Sequence, residues 1–259
     1  MVSNEKSSVS SMVNALKLLN LFTMDEPEWI LTDLADELNV GVSTVYRLTN
    51  TLMHEGFIVR DPLTKTFRLA SSILELGHYV ITSFDICDIS PPILEKLVQD
   101  TGETVHLSIL EGNKSIYLQM FECSNYVNVR THVGKKHPAH CTSTGQVILA
   151  YQSEAEIDRV ITQGLPLYSP KSATITDPMK FKERLALIKK QGYTYNRDEM
   201  NVGVSAIAAP VKSPSGKVEF AVSIAGPSSR INANNAPTLS KLVVKAAECL
   251  SKKLKGGAQ

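Results

Sequence analysis

Long apolar runs are missing from this 259-residue chain. None approaches the ~20 residues that a membrane-spanning helix requires, which excludes a transmembrane protein. The first 25 residues hold no apolar stretch followed by a small-residue cleavage site, so no secretory leader is expected. Cysteine is scarce: Cys87, Cys123, Cys141 and Cys249 lie far apart and form no CxxC. That usage suits a reducing cytoplasm, where a disulfide framework would not persist, and cytoplasmic localisation is expected. Gly and Pro are scattered without a collagen-like period. Nothing calls for a cofactor, and the chain is not expected to be an enzyme.

What remains is ordinary globular material. Hydrophobic residues make up 43% and charged residues 20%, and the length admits one large domain or two ordinary ones. The net charge of +1 hides an asymmetry. Residues 1–85 hold six Lys and Arg against eleven Asp and Glu, while the remainder carries a net +6. A nucleic-acid-binding domain is usually basic where it meets phosphate, so DNA binding by the N-terminal third must rest on where its few cations sit.

Apolar residues recur with helical spacing from Val9 to Phe22, and again over Leu31–Leu38. Asn39-Val40-Gly41-Val42 reads as a tight turn with Gly41 as the residue of positive φ, and Ser43–Glu55 as a third helix stopped by Gly56. FIVR and TFRLA flank a Pro-containing turn, a small β-hairpin. Ser71–Ser83 is helical again, and residues 71–90 read as a linker helix between a first domain, 1–70, and a second, 91–259. In the second domain, TVHLSIL and SIYLQMF flank one turn, VSAIAAPV and VEFAVSIAG another, and helices cover Thr144–Tyr151, Ser153–Gln163, Asp177–Gln191 and Pro237–Lys253. The fold class is α+β.

Helix, turn, helix and hairpin form the layout of a winged helix-turn-helix. In the third helix Val45, Leu48 and Leu52 face the core, leaving Ser43, Thr44, Tyr46, Arg47 and Asn50 on the outer face or at the N-terminus. Such a face, small, polar and carrying one cation, can enter a major groove ~12 Å wide. The wing adds Arg60, Lys65 and Arg68. These residues, with Lys65 and Arg68 chosen on the wing, are the candidate contacts to double-stranded operator DNA.

The stretch GVSTVYRLTNTLMHEGFIVRDPLTKTFRLA closely resembles the IclR family of bacterial transcriptional regulators. The resemblance continues in order through TGETVHLSILEGNKSIYL, VGKKHPAHCTSTGQVILA, QGYTYNRDEMNVGVSAIAAPV and VSIAGPSSRI, covering most of residues 9–250. It implies a winged helix-turn-helix, a linker helix and a GAF- or profilin-like α/β effector-binding domain. The protein would then act as a homodimer or dimer of dimers on a catabolic operon.

By motif position the resemblance also implies a pocket. Ser143 and Thr144 would offer backbone N–H groups to an effector carboxylate, Asn196, Ala206, Ser223 and Ala225 would line it, and Val129 would be an apolar wall. Two departures stand out: the family often has Gly-Lys where Gly145-Gln146 stands, and an acidic residue where Asn196 stands. The lining suits a small organic acid with hydroxyl groups. The cluster His132, His137, His140 and Cys141 has zinc-ligand residue types, but Pro138 prevents a regular helix from presenting them, and no metal site is expected. Hydrolase chemistry at Cys141 or Ser143 lacks a GxSxG elbow. The competing assignment is a ligand- or metal-binding module whose helix-turn-helix serves assembly only.

Overall fold

A computed structural model describes residues 9–124 and 131–256, in two compact units, Met1–Ser83 and Phe84–Gln259. The first unit opens with α1 (Ser10–Leu19), α2 (Leu31–Leu38) and α3 (Val42–His54). The strands β1 (Ile58–Arg60) and β2 (Phe67–Leu69) follow, paired antiparallel with Val59 opposite Arg68. Leu18, Leu34, Val45, Leu48, Leu52, Ile58 and Phe67 make one core, with Trp29 packed at its edge. Trp29 also exchanges two backbone hydrogen bonds with Phe67 and so lengthens the wing sheet, a pairing that the sequence pattern does not reveal.

The tight turn differs from expectation. Gly41 has φ −64° and serves as the N-cap of α3, whereas Asn39, at φ 53°, is the left-handed residue closing α2. Asn tolerates that region better than most side chains, so Gly is not required there. The linker differs too. It is two helices, α4 (Ser72–Thr82) in the first unit and α5 (Ile86–Ile89) in the second. No residue of α4 is buried.

In the second unit α6 (Pro91–Thr101) starts at its proline pair, where a missing N–H costs nothing. After it come β3 (Thr104–Glu111), β4 (Lys114–Phe121), β5 (Lys136–Pro138) and a 3-10 turn, Ala139–Cys141. Then come α7 (Ser143–Leu149), α8 (Glu154–Thr162), α9 (Pro178–Gln191), β6 (Thr194–Arg197), β7 (Val204–Lys212), β8 (Val218–Pro227) and α10 (Ala236–Gly256). The strands form one antiparallel sheet in the order β5-β4-β3-β8-β7-β6.

Strand alternation gives this sheet two unlike faces. One carries Val105, Leu107, Ile207, Val222 and Ile224, all fully buried, and α6 and α10 cover it. The opposite face is built of small and polar residues in two rungs. The first runs Thr104, Ala225, Ala206, Asn196 across β3, β8, β7 and β6; the second runs His106, Ser223, Ala208, Thr194. Above this face α7 packs, supported by Phe181, Leu185 and Ile188 of α9. A register shift between Leu107 and Ser108 sets Tyr117 opposite Ser108, on the same face as His106. The fold class is the expected one, a helix-turn-helix unit followed by a mixed α/β unit.

Candidate functional site

In α3 the helical period separates two roles. Val45, Leu48, Thr49 and Leu52 are buried, and Ser43, Thr44, Tyr46, Arg47 and Asn50 are all exposed. Arg47 has no carboxylate partner among the described residues. The helix start is not wholly free. The Thr44 N–H donates to the Gly41 carbonyl at 2.9 Å, so Val42 and Ser43 carry the N–H groups without a helical acceptor.

The wing is shaped by Asp61, whose carboxylate accepts from the backbone N–H of Leu63 at 2.7 Å and of Thr64 at 2.9 Å. Those bonds hold its carboxyl below the ordinary carboxylate range. Of the three wing cations, two are engaged locally. Lys65 Nζ donates to the Pro62 carbonyl at 2.5 Å, and the Arg60 guanidinium lies 5.4 Å from the Phe67 ring centre. Arg68 is exposed in mid-strand.

In the second unit the first rung, with His106 and Ser223 of the second, floors a cavity of about 340 Å³. Ser143, Asn196, Ala206, Ser223 and Ala225 line it, so five of the seven expected pocket residues come together. Thr144 does not line it; its hydroxyl is buried against Ser115 Oγ at 2.8 Å. Val129 lies outside the described residues. Thr142, also in the wall, caps α7 by accepting from the Gly145 N–H at 3.2 Å.

The wall contains residues that the sequence reading missed: Thr104, His106, Tyr117, Cys141 and Glu199. A signal for the first two was present, because Thr104, His106 and Ser108 are polar at period two between Val105, Leu107 and Ile109. His106 stacks on Tyr117 with ring centres 4.4 Å apart, and burial lowers its pKa to about 4. Its Nε2 bonds Thr131 Oγ1 at 3.1 Å. Burial pushes the Cys141 thiol up to about 12, so it is no thiolate nucleophile at neutral pH.

Glu199 is the most perturbed carboxyl of the wall. Its Oε2 accepts from Gln146 Nε2 at 2.5 Å and its Oε1 from Arg184 Nη2 at 3.2 Å. Burial nevertheless dominates and raises it to about 7. The candidate zinc residues diverge. His140 Nε2 bonds the Pro166 carbonyl at 2.9 Å, His137 packs between Tyr117 and Tyr168, and the Cys141 thiol donates to the Pro138 carbonyl. Among the described residues, no group of three or more His, Cys, Asp or Glu is placed to hold a metal ion. No described helix is long and apolar enough to cross a membrane.

A helix-turn-helix with an exposed polar face on its second helix, followed by an α/β unit that holds a cavity, defines a DNA-binding transcriptional regulator. Comparison with known proteins narrows this. The model described as "Bacterial transcriptional regulator IclR C-terminal" matches residues 78–252, and that of the IclR helix-turn-helix domain matches residues 11–62. The chain belongs to the IclR family of transcriptional regulators.

Among its relatives is the HTH-type transcriptional regulator KipR of Bacillus subtilis, 31% identical over 94% of this chain and 96% of that one. The HTH-type transcriptional regulator XynR of Escherichia coli is 30% identical over 86% and 88%. A solved IclR transcriptional regulator from Alicyclobacillus acidocaldarius superposes with a TM-score of 0.81 at 27% identity, covering 96% of this chain and all of that one.

Proposed function

We propose that this protein controls a catabolic operon by reading operator DNA with α3 and the wing, and that a small organic acid held in the cavity sets its activity. The observation that carries the DNA reading is the exposed row Ser43, Thr44, Tyr46, Arg47 and Asn50, set on a helix whose opposite face is locked in the core. With Lys65 and Arg60 engaged inside the wing, Arg47 and Arg68 supply the projecting positive charge. This answers the acidic balance of residues 1–85: its carboxylates Asp33, Asp36 and Glu37 belong to α2. A gel shift with duplex from upstream of the protein's own gene tests it, and affinity should fall steeply with salt.

The proposed assembly as a homodimer or dimer of dimers is supported by α4. Leu74, Leu76, Tyr79 and Val80 are more than half exposed on it, apolar surface that a twin across a two-fold axis would cover. A monomer by light scattering at micromolar concentration would refute this.

The effector reading is supported by the cavity. Ala206, Ala225 and Ser223 leave space rather than filling it, and about 340 Å³ lies at the small end for ligand sites. The carboxylate would sit at the start of α7, where the Ser143 N–H precedes the helical ladder, with Asn196 and Ser223 orienting hydroxyl oxygens; Thr144 lies behind the lining. Thermal-shift screening of small organic acids is the first test. Ser143→Pro is the second, because Ser143 is the first residue of α7, a position that tolerates proline while losing the N–H. A folded variant that binds its acid as tightly as the parent overturns the anion-site assignment.

A further inference from the structure

We propose that Glu199 selects the charge state of what the cavity holds, so that an anionic effector enters only together with a proton taken up by this side chain. The inference rests on the reading of the cavity as an organic-acid site.

The geometry comes first. Glu199 is in the cavity wall and only 4% exposed, so its charge meets little water. Each element packed around it can be checked for charge. From α9, Arg184 is the single cation in contact, at 3.2 Å, and its side chain is 28% exposed, so part of its field is spent on solvent. From α7 comes Gln146, a neutral amide, which donates Nε2 to both Glu199 and the His140 carbonyl while its Oε1 has no partner. The 3-10 turn contributes Cys141, a protonated thiol. Thr174 donates its hydroxyl to the Glu199 carbonyl oxygen at 2.6 Å, which fixes the backbone. Across the cavity stand neutral His106 and Tyr117, with Glu122 and Cys123 at the rim, and Asp198 precedes Glu199 in the chain.

The described lining therefore contains two carboxyl groups and no lysine or arginine. An anion placed in such a cavity raises the free energy of an ionised Glu199 through a poorly screened medium and leaves the neutral carboxylic acid untouched. Glu199 stands near half-protonation at about pH 7 before anything binds, so the shift requires uptake of up to one proton at neutral or mildly alkaline pH. By linkage, affinity for the anion then falls by as much as tenfold per pH unit above that range. Burial raises Glu199 against the opposing pull of Arg184 and of the Gln146 amide, and a full cation in place of Gln146 would hold it ionised.

The test is isothermal titration calorimetry of the full-length protein with pyruvate, D-glycerate and D-gluconate at pH 6, 7 and 8, each in two buffers of different ionisation enthalpy. Expected are tighter binding at pH 6 than at pH 8 by up to about tenfold, and net proton uptake approaching one per site at pH 8. Glu199→Gln should bind at pH 8 as the parent does at pH 6, and Gln146→Lys should bind weakly with a flat profile. An acid that binds equally at pH 6 and pH 8 without proton uptake overturns this inference alone. Binding by none of the three at pH 6 overturns the acid-effector reading and this inference with it. If the variants do not fold, infrared spectroscopy of the parent decides. A protonated-carboxyl stretch must persist at pH 6.5 and vanish by pH 9, and its absence at pH 6.5 overturns the proposal.

Discussion

Replacing Gly145 by alanine should destabilise the second unit, because the added methyl meets backbone that cannot swing aside. A Cβ built there lies 2.5 Å from Ala139 Cα, 2.6 Å from Thr142 Oγ1, and closer still to the Ala139 carbonyl oxygen. The first and last are backbone atoms of the 3-10 turn, so relief requires α7 and the turn to separate by close to an ångström. Overpacking of this kind costs about 1–3 kcal/mol. The contact with Thr142 Oγ1 expels the hydroxyl that caps α7, and loss of a cap adds about 1 kcal/mol. The sum, about 2–4 kcal/mol, corresponds to a midpoint lowered by roughly 5–15 °C for a unit of this size. Differential scanning calorimetry reads it. Gly77→Ala in α4 is the control, because its added methyl meets no atom within 4 Å, and it should be neutral or slightly stabilising. If Gly145→Ala melts within 2 °C of the parent, the close approach of turn and helix is wrong.

Other substitutions test other links. Arg47→Ala should leave the first unit folded by circular dichroism and cost operator affinity about 1–3 kcal/mol in a gel shift; unchanged affinity and specificity refute α3 as the reader. Gly226→Ala would drive a methyl into the Glu103 carboxyl, 2.7 Å from its carbon, and part Glu103 from Arg230, which it meets through two hydrogen bonds of 2.7 Å. Glu103 is buried but Arg230 is about a third exposed, so the loss is about 1–3 kcal/mol, visible as a lower urea midpoint.

Stability should also depend on pH. His106 and His137 are lowered from 6.5 to about 4, so the unfolded chain binds their protons first and stability drops as pH falls from 6.5 towards 4. Glu199, raised from 4.5 to about 7, acts in the opposite sense over pH 7 to 4.5. Two histidines outweigh one glutamate, so urea denaturation should show a less stable protein at pH 4.5 than at pH 7, and equal midpoints would count against the buried neutral imidazoles.

The elements read correctly from the sequence are those with a long period or an unambiguous turn: α2, α3, the β3–β4 and β7–β8 hairpins and α10. The ones missed are short and marginal. β5 and β6 are the two edges of the sheet, KHP and TYNR, where half the backbone is unpaired and no apolar alternation is needed. In the cavity, Asn196 and Ser223 were readable by motif position. Glu199 was not, because its role comes from contacts with Gln146 and Arg184, which are 53 and 15 residues away. The positive φ at Asn39 was assigned to Gly41 because glycine is the commoner solution, yet an asparagine two residues earlier fills it.

One property of the sheet bears on how such a protein can change. Along β7, Ile207 and Ala209 point to α10 while Ala206 and Ala208 point the other way; along β8, Val222 and Ile224 alternate with Ser223 and Ala225. Neighbouring residues thus answer to different demands, one to the hydrophobic core and the next to whatever occupies the hollow. A drift from alanine to valine or serine at Ala206 would reshape the hollow and leave the core on the far side of the strand intact. A differently shaped ligand can then be accommodated by single steps through folded intermediates, without retuning the scaffold each time.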